Sequence, residues 1–126
     1  MSPTQYNPLV ERYFAHPIGA GAWPAGARET VTGEAGSEEL GTRVRFEVRC
    51  ADGVVTEARF QAFGCPHTIA AAAWLTEHLP GRPLDRPLPM PILDLAQLLE
   101  VPTEKLGRLL VVEDALRAAV ARADKR

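Results

Sequence analysis

Only two of the 126 residues are cysteine, too few for a disulfide framework. The thiols therefore read as reduced and the protein as cytoplasmic. An excess of charge of one sign is also missing. Lys and Arg number 14 against 16 Asp and Glu, a formal net charge of −2, so no basic bulk points to nucleic acid. No apolar run approaches the ~20 residues that span a bilayer. The N-terminus lacks the basic-then-apolar form of a secretory signal. No internal repeat is present. Low-complexity sequence is confined to an alanine run and to a proline-spaced segment at 80–91. What remains is an ordinary soluble composition, 46% hydrophobic and 24% charged, in a length that fits one domain, 1–126, with a real core.

Periodicity predicts the elements. Leu9, Val10, Tyr13 and Phe14 recur at helical spacing, which predicts a short helix over 4–15 ended by His16-Pro17. Residues 17–27 are rich in Gly, Ala and Pro and read as a loop, with Trp23 anchoring it on the core. A first strand is predicted at 28–34, and Gly33 and Gly36 are expected to bracket the next turn. Residues 42–50 alternate, with Val44, Phe46, Val48 and Cys50 on one face and Arg43, Arg45, Glu47 and Arg49 on a wet one. Asp52-Gly53 is a hairpin turn signal. Residues 54–63 return, with Val54, Ala58, Phe60 and Ala62 assigned to the core face. A helix over 66–79 follows, with Gly81 as its stop. Prolines 80, 83, 87, 89 and 91 predict an extended connector. A helix at 92–100, a turn beginning at Pro102-Thr103-Glu104-Lys105 and a last helix at 108–123 complete the chain. Leu109, Val112, Leu116, Ala119 and Val120 form the apolar stripe of that last helix. The fold class is α+β: a small three-stranded antiparallel sheet covered by helices on one face.

The chemistry gathers at Phe63-Gly64-Cys65-Pro66-His67. Pro66 suits the first helical position, so Cys65 falls at or near the N-cap. Unpaired N–H groups and the helix dipole there favour a thiolate. Such a thiol serves as a nucleophile, as a metal ligand or as a small buried residue. Cys50 cannot assist it. The strand between the two has about ten residues, which puts the thiols on the order of 30 Å apart. Cys50 reads as core filling, and His16 and His78 as structural or exposed.

The run Asp52-Gly53-Val54-Val55-Thr56-Glu57-Ala58-Arg59-Phe60-Gln61-Ala62-Phe63-Gly64-Cys65 resembles the hairpin and ligand corner of the IscU/NifU N-terminal family. So do Thr76-Glu77, Val112-Glu113-Asp114-Ala115, Tyr13-Phe14-Ala15-His16-Pro17 and Ala20-Gly21-Ala22-Trp23. The resemblance covers nearly the whole chain. It implies an iron–sulfur cluster assembly scaffold, not an enzyme, with an iron–sulfur cluster or zinc as the bound group. Its implied partners are a cysteine desulfurase or other iron–sulfur assembly proteins, with no nucleic acid and no membrane, and an oligomer is compatible with it.

Cys65 matches one of the three family cysteines. Where the family has an Ala-Cys-Gly-Asp turn, this chain has Gly36-Ser37-Glu38-Glu39-Leu40. Where a histidine and the third cysteine precede the last helix, it has Gly107-Arg108. The family's Leu-Pro-Pro-Val-Lys chaperone segment becomes Val101-Pro102-Thr103-Glu104-Lys105. The site is therefore degenerate, with Cys65 retained, His67 as a weak candidate ligand, and Glu38, Gly107 and Arg108 at altered positions. One metal-binding thiolate is too few for a cluster, and the isolated monomer is expected to hold no stable zinc or cluster. Arg108 is expected to point at the corner, either to a Cys65 thiolate or to Glu38. Besides the scaffold reading, two others stand. One is an interaction or regulatory module that docks assembly partners. The other is a thiol enzyme in which His67 serves Cys65 as base.

Overall fold

The computed structural model describes residues 6–24 and 30–124. The element order is α1 (Pro8–Ala15), β1 (Thr30–Ser37), β2 (Thr42–Ala51), β3 (Val54–Phe63), α2 (Pro66–His78), α3 (Ile92–Leu98), a 3-10 turn (Thr103–Lys105) and α4 (Leu106–Asp124). The strands form one antiparallel sheet in the order β1-β2-β3. The expected start of the first helix at residues 4 and 5, the end of the loop at 25–27 and the start of the first strand at 28 and 29 lie outside the described residues.

The core lies between one face of the sheet and the helices. Val44, Phe46 and Val48 are fully buried on that face of β2, and Cys50 continues it half-buried at the hairpin tip. β3 does not keep the expected parity. Arg49 pairs with Glu57, but Cys50 pairs with Val55, so Thr56 has no partner and bulges. The extra residue turns Val55, not Val54, into the core. Val55 is fully buried and Val54 half-buried.

Gly33 and Gly36 do not bracket a turn; both lie within β1, and the turn is at residues 38–41. Gly33 is there because α4 crosses β1 backbone to backbone. A Cβ on Gly33 would sit 2.1 Å from the Ala119 nitrogen and 2.6 Å from the Ala115 oxygen. Contact this close admits no side chain.

The second face of the sheet is not uniformly wet. Glu47 is buried, because the loop after α1 lies across it. The Trp23 N–H donates to Glu47 Oε1 at 3.1 Å, and the Arg49 and Arg59 guanidinium carbons stand 4.1 Å and 5.2 Å from the Trp23 ring centroid. Trp23 thus anchors its loop on the arginine face through cation–π contacts and not on the core. The same loop pairs with the edge of β3: Gly21 N–H donates to Phe60 O and Phe60 N–H to Gly19 O.

α2 is buried on nearly every side from His67 to Thr76, packed between the sheet, α4 and α1. Its alanines allow that approach on all faces. Tyr13 of α1 ties the outer helix to it: the phenol donates to Glu77 Oε1 at 2.5 Å. Burial first, then the acceptor and charge of Glu77, push the phenol pKa up to about 12.

The proline connector is less extended than its composition predicts. Gly81 N–H donates to Val55 O and Leu84 N–H to Gly53 O, so the connector pairs with the hairpin tip before turning at 83–86. α3 stops at Leu98, because Glu100 takes a positive φ of 52°. At the other end of that loop, α4 begins at Leu106, earlier than expected.

Candidate functional site: a thiol corner at the start of α2

β3 delivers the chain to Phe63, and Gly64 makes the corner. A Cβ on Gly64 would press on the Thr68 side chain at 3.2 Å. Cys65 is the N-cap of α2 in extended backbone geometry (φ −77°, ψ 168°), and Pro66 fills the first helical turn. The sulfur faces donors. Sγ lies 3.6 Å from the Thr68 hydroxyl oxygen. The backbone N–H groups of Thr68 and His67 and the Arg108 guanidinium lie near enough to favour its charged form. Burial alone pushes the thiol pKa up. The Thr68 N–H and hydroxyl, Arg108 and the His67 N–H outweigh it, and the net direction is down.

Arg108 comes from the first turn of α4, and its guanidinium is near enough to Cys65 to lower the thiol pKa. Glu38 does not join them. Its side chain is 71% exposed, and its nearest cation is Arg43 at 4.0 Å. Gly107 is exposed on α4, with open space where a Cβ would be.

His67 is turned away from a role as base. It is 5% exposed, its Nδ1 has no hydrogen-bond partner, and Tyr6 packs edge-on against its ring with centroids 4.8 Å apart. Burial, then the positive charges of Lys105 and Arg108, hold its pKa below the usual histidine range, so the ring is neutral. Among the described residues no hydrogen bond joins the imidazole to Cys65.

Sequence reasoning missed three members of this corner. Thr68 stands three residues after the N-cap, the spacing at which a side chain meets the cap, and that spacing was visible. Lys105 lies three residues before Arg108, and its Nζ stands 5.9 Å from the Tyr6 ring centroid. Tyr6 carried no signal, since it packs there through tertiary contact.

Among the described residues no group of three or more His, Cys, Asp or Glu side chains is placed to hold a metal ion. A cluster needs about four thiolate or imidazole ligands. The corner offers one thiolate, and the Arg108 guanidinium beside it adds a positive charge where a metal cation would add another. The donor set of this chain alone does not fit a cluster.

Residues 5–126 match the family described as NifU-like N terminal domain. The chain belongs to this family. It is 28% identical over 117 residues to the iron–sulfur cluster assembly scaffold protein IscU of Escherichia coli K12, covering 92% of this chain and 91% of that protein. It is 28% identical over 116 residues to iron sulfur cluster assembly protein 1 of Trachipleistophora hominis, covering 92% and 84%. The fold of the NifU-like domain recurs in solved structures. The SufU protein of Fervidobacterium islandicum superposes with a TM-score of 0.70 at 13% identity, over 91% of this chain and 96% of that one. A NifU-like protein from Brucella abortus gives 0.68 at 16% identity, over 95% and 94%. The α+β architecture expected of an IscU/NifU-like chain is the one observed. Among the described residues no helix is long and apolar enough to cross a membrane.

Proposed function

We propose that this NifU-like domain acts in iron–sulfur cluster assembly as a scaffold-fold protein that presents one activated thiol to its partners. The observation that carries this reading is Cys65 at the N-cap of α2, its Sγ 3.6 Å from the Thr68 hydroxyl, in a chain matched to the family along its length. A helix N-terminus, a hydroxyl and a guanidinium stabilise the thiolate, and the same guanidinium disfavours a metal cation. The cluster is then cargo whose remaining ligands come from a partner. That partner is a cysteine desulfurase or another iron–sulfur assembly protein, met in the cytoplasm. Among the described residues His67 is buried and makes no hydrogen bond to the sulfur, so it does not serve Cys65 as base, and on this reading the chain works by docking rather than as an enzyme.

Docking has a surface to use. Phe63, 51% exposed, stands beside the corner, and Leu110 is exposed on α4. The test is binding to a cysteine desulfurase that is first shown to bind a three-cysteine relative. A complex weakened by Phe63→Asp is the expected result. No complex under conditions where the relative binds contradicts the reading.

A further inference from the structure

The β1–β2 turn and the proline connector take no part in the corner chemistry, and they are complementary to each other. The turn carries Glu38-Glu39-Leu40. Leu40 is 75% exposed, the highest value among the large apolar side chains described. Leu40 N–H donates to Ser37 Oγ at 3.2 Å and Gly41 N–H to Glu38 O at 3.0 Å. The turn is therefore a preorganised apolar knob flanked by carboxylates, and little entropy is lost when it docks.

The connector forms a matching groove. Between it and α4 lies a cleft of about 720 Å³ whose apolar walls include Leu88, Met90 and Leu93. Leu93 is exposed, and Met adapts readily to an inserted side chain. The rim is basic. Arg82, Arg86 and Arg117 line it against one carboxylate, Glu113, which holds Arg117 through two hydrogen bonds. Arg82 donates to the neutral carbonyls of Arg86 and Leu88, and no carboxylate among the described residues pairs with Arg82 or Arg86. Three arginines against one glutamate leave the rim at +2, in a chain whose net charge is −2. Pro87, Pro89 and Pro91 have no N–H to offer an added strand, so recognition here falls to side chains.

We propose that the groove of one copy receives the Glu38-Glu39-Leu40 turn of a second copy. Leu40 enters between Leu88, Met90 and Leu93, and the two glutamates meet Arg82 and Arg86. The turn does not occupy the groove of its own chain, since Leu40 is exposed and Glu38 reaches only Arg43. Donor and acceptor are different surfaces, so two copies exchange turns reciprocally or several close a ring.

Sedimentation velocity from micromolar to millimolar protein tests this. The expected result is a mass that rises above the 13.7 kDa of one chain with concentration and falls back at high salt. Leu40→Asp alone, Arg86→Glu alone, and the double variant Glu38→Lys/Glu39→Lys should each stay monomeric. All four positions are exposed, and circular dichroism checks that each variant is folded. Mixing Arg86→Glu with Glu38→Lys/Glu39→Lys should restore a one-to-one complex. Each acidic turn then faces a basic groove, and each basic turn an altered one. A wild-type chain that remains monomeric throughout overturns the proposal. So does association untouched by Leu40→Asp, or a mixture that fails to recover.

Discussion

At the level of single residues, two pairs set measurable pH behaviour. The first is Arg108 beside Cys65. A donor that stabilises the thiolate lowers the thiol pKa, so its removal must raise it. In Arg108→Ala the pH profile of Cys65 alkylation should move to higher pH. At neutral pH the rate should fall by about three- to tenfold, as the thiolate fraction drops. An unchanged profile would show that the guanidinium does not act on the sulfur. The second joins Tyr13 to Glu77. The phenol pKa rises on folding from 10.0 to about 12. A group whose folded pKa is raised contributes stability that is full below the unfolded pKa and is lost as pH climbs through the folded one. The chain should therefore lose stability between pH 10.0 and about 12. Tyr13→Phe should cost about 1 kcal/mol at neutral pH and flatten that alkaline decline. Denaturant titrations at neutral and alkaline pH check both.

At the scale of elements, the packing of α4 on β1 depends on Gly33. A Cβ there meets helix backbone, which cannot swing aside as a side chain can. Gly33→Ala should destabilise by about 3 kcal/mol or more as the helix is forced off the strand. Gly107→Ala, on the same helix with open space around it, should instead gain about 0.5 kcal/mol from helix propensity. Thermal melts of the pair should move in opposite directions. The same two glycines mark what the sequence discloses. β2 was legible because Val44, Phe46 and Val48 alternate with charges, and the Asp52-Gly53 turn fixed where β3 begins. Gly33 was misread because a local pattern treats glycine as a turn signal, whereas its cause is a helix that arrives some eighty residues later. The bulge at Thr56 escaped for a related reason: alternation assumes constant parity, and only the pairing with β2 reveals the slip. At the corner, Cys65 was legible as the N-cap of α2 because Pro66 follows it, and the family resemblance grouped Arg108 with it. Glu38 was grouped with them by the same pattern, but its side chain points to solvent and Arg43.

At the level of the whole molecule, the NifU-like fold is intact, and its corner carries one thiol. β3 ends and α2 begins at Cys65, and the Arg108 guanidinium of α4 lies near enough to that sulfur to lower its pKa. The corner is expected to present a thiolate and not to enclose a cluster by itself. Iron, zinc and acid-labile sulfide counted in the monomer after anaerobic reconstitution, with Cys65→Ser as reference, test it most directly. Neither protein should hold stoichiometric metal or sulfide when no partner is present. One equivalent of iron or zinc that the wild type holds and Cys65→Ser loses would contradict it.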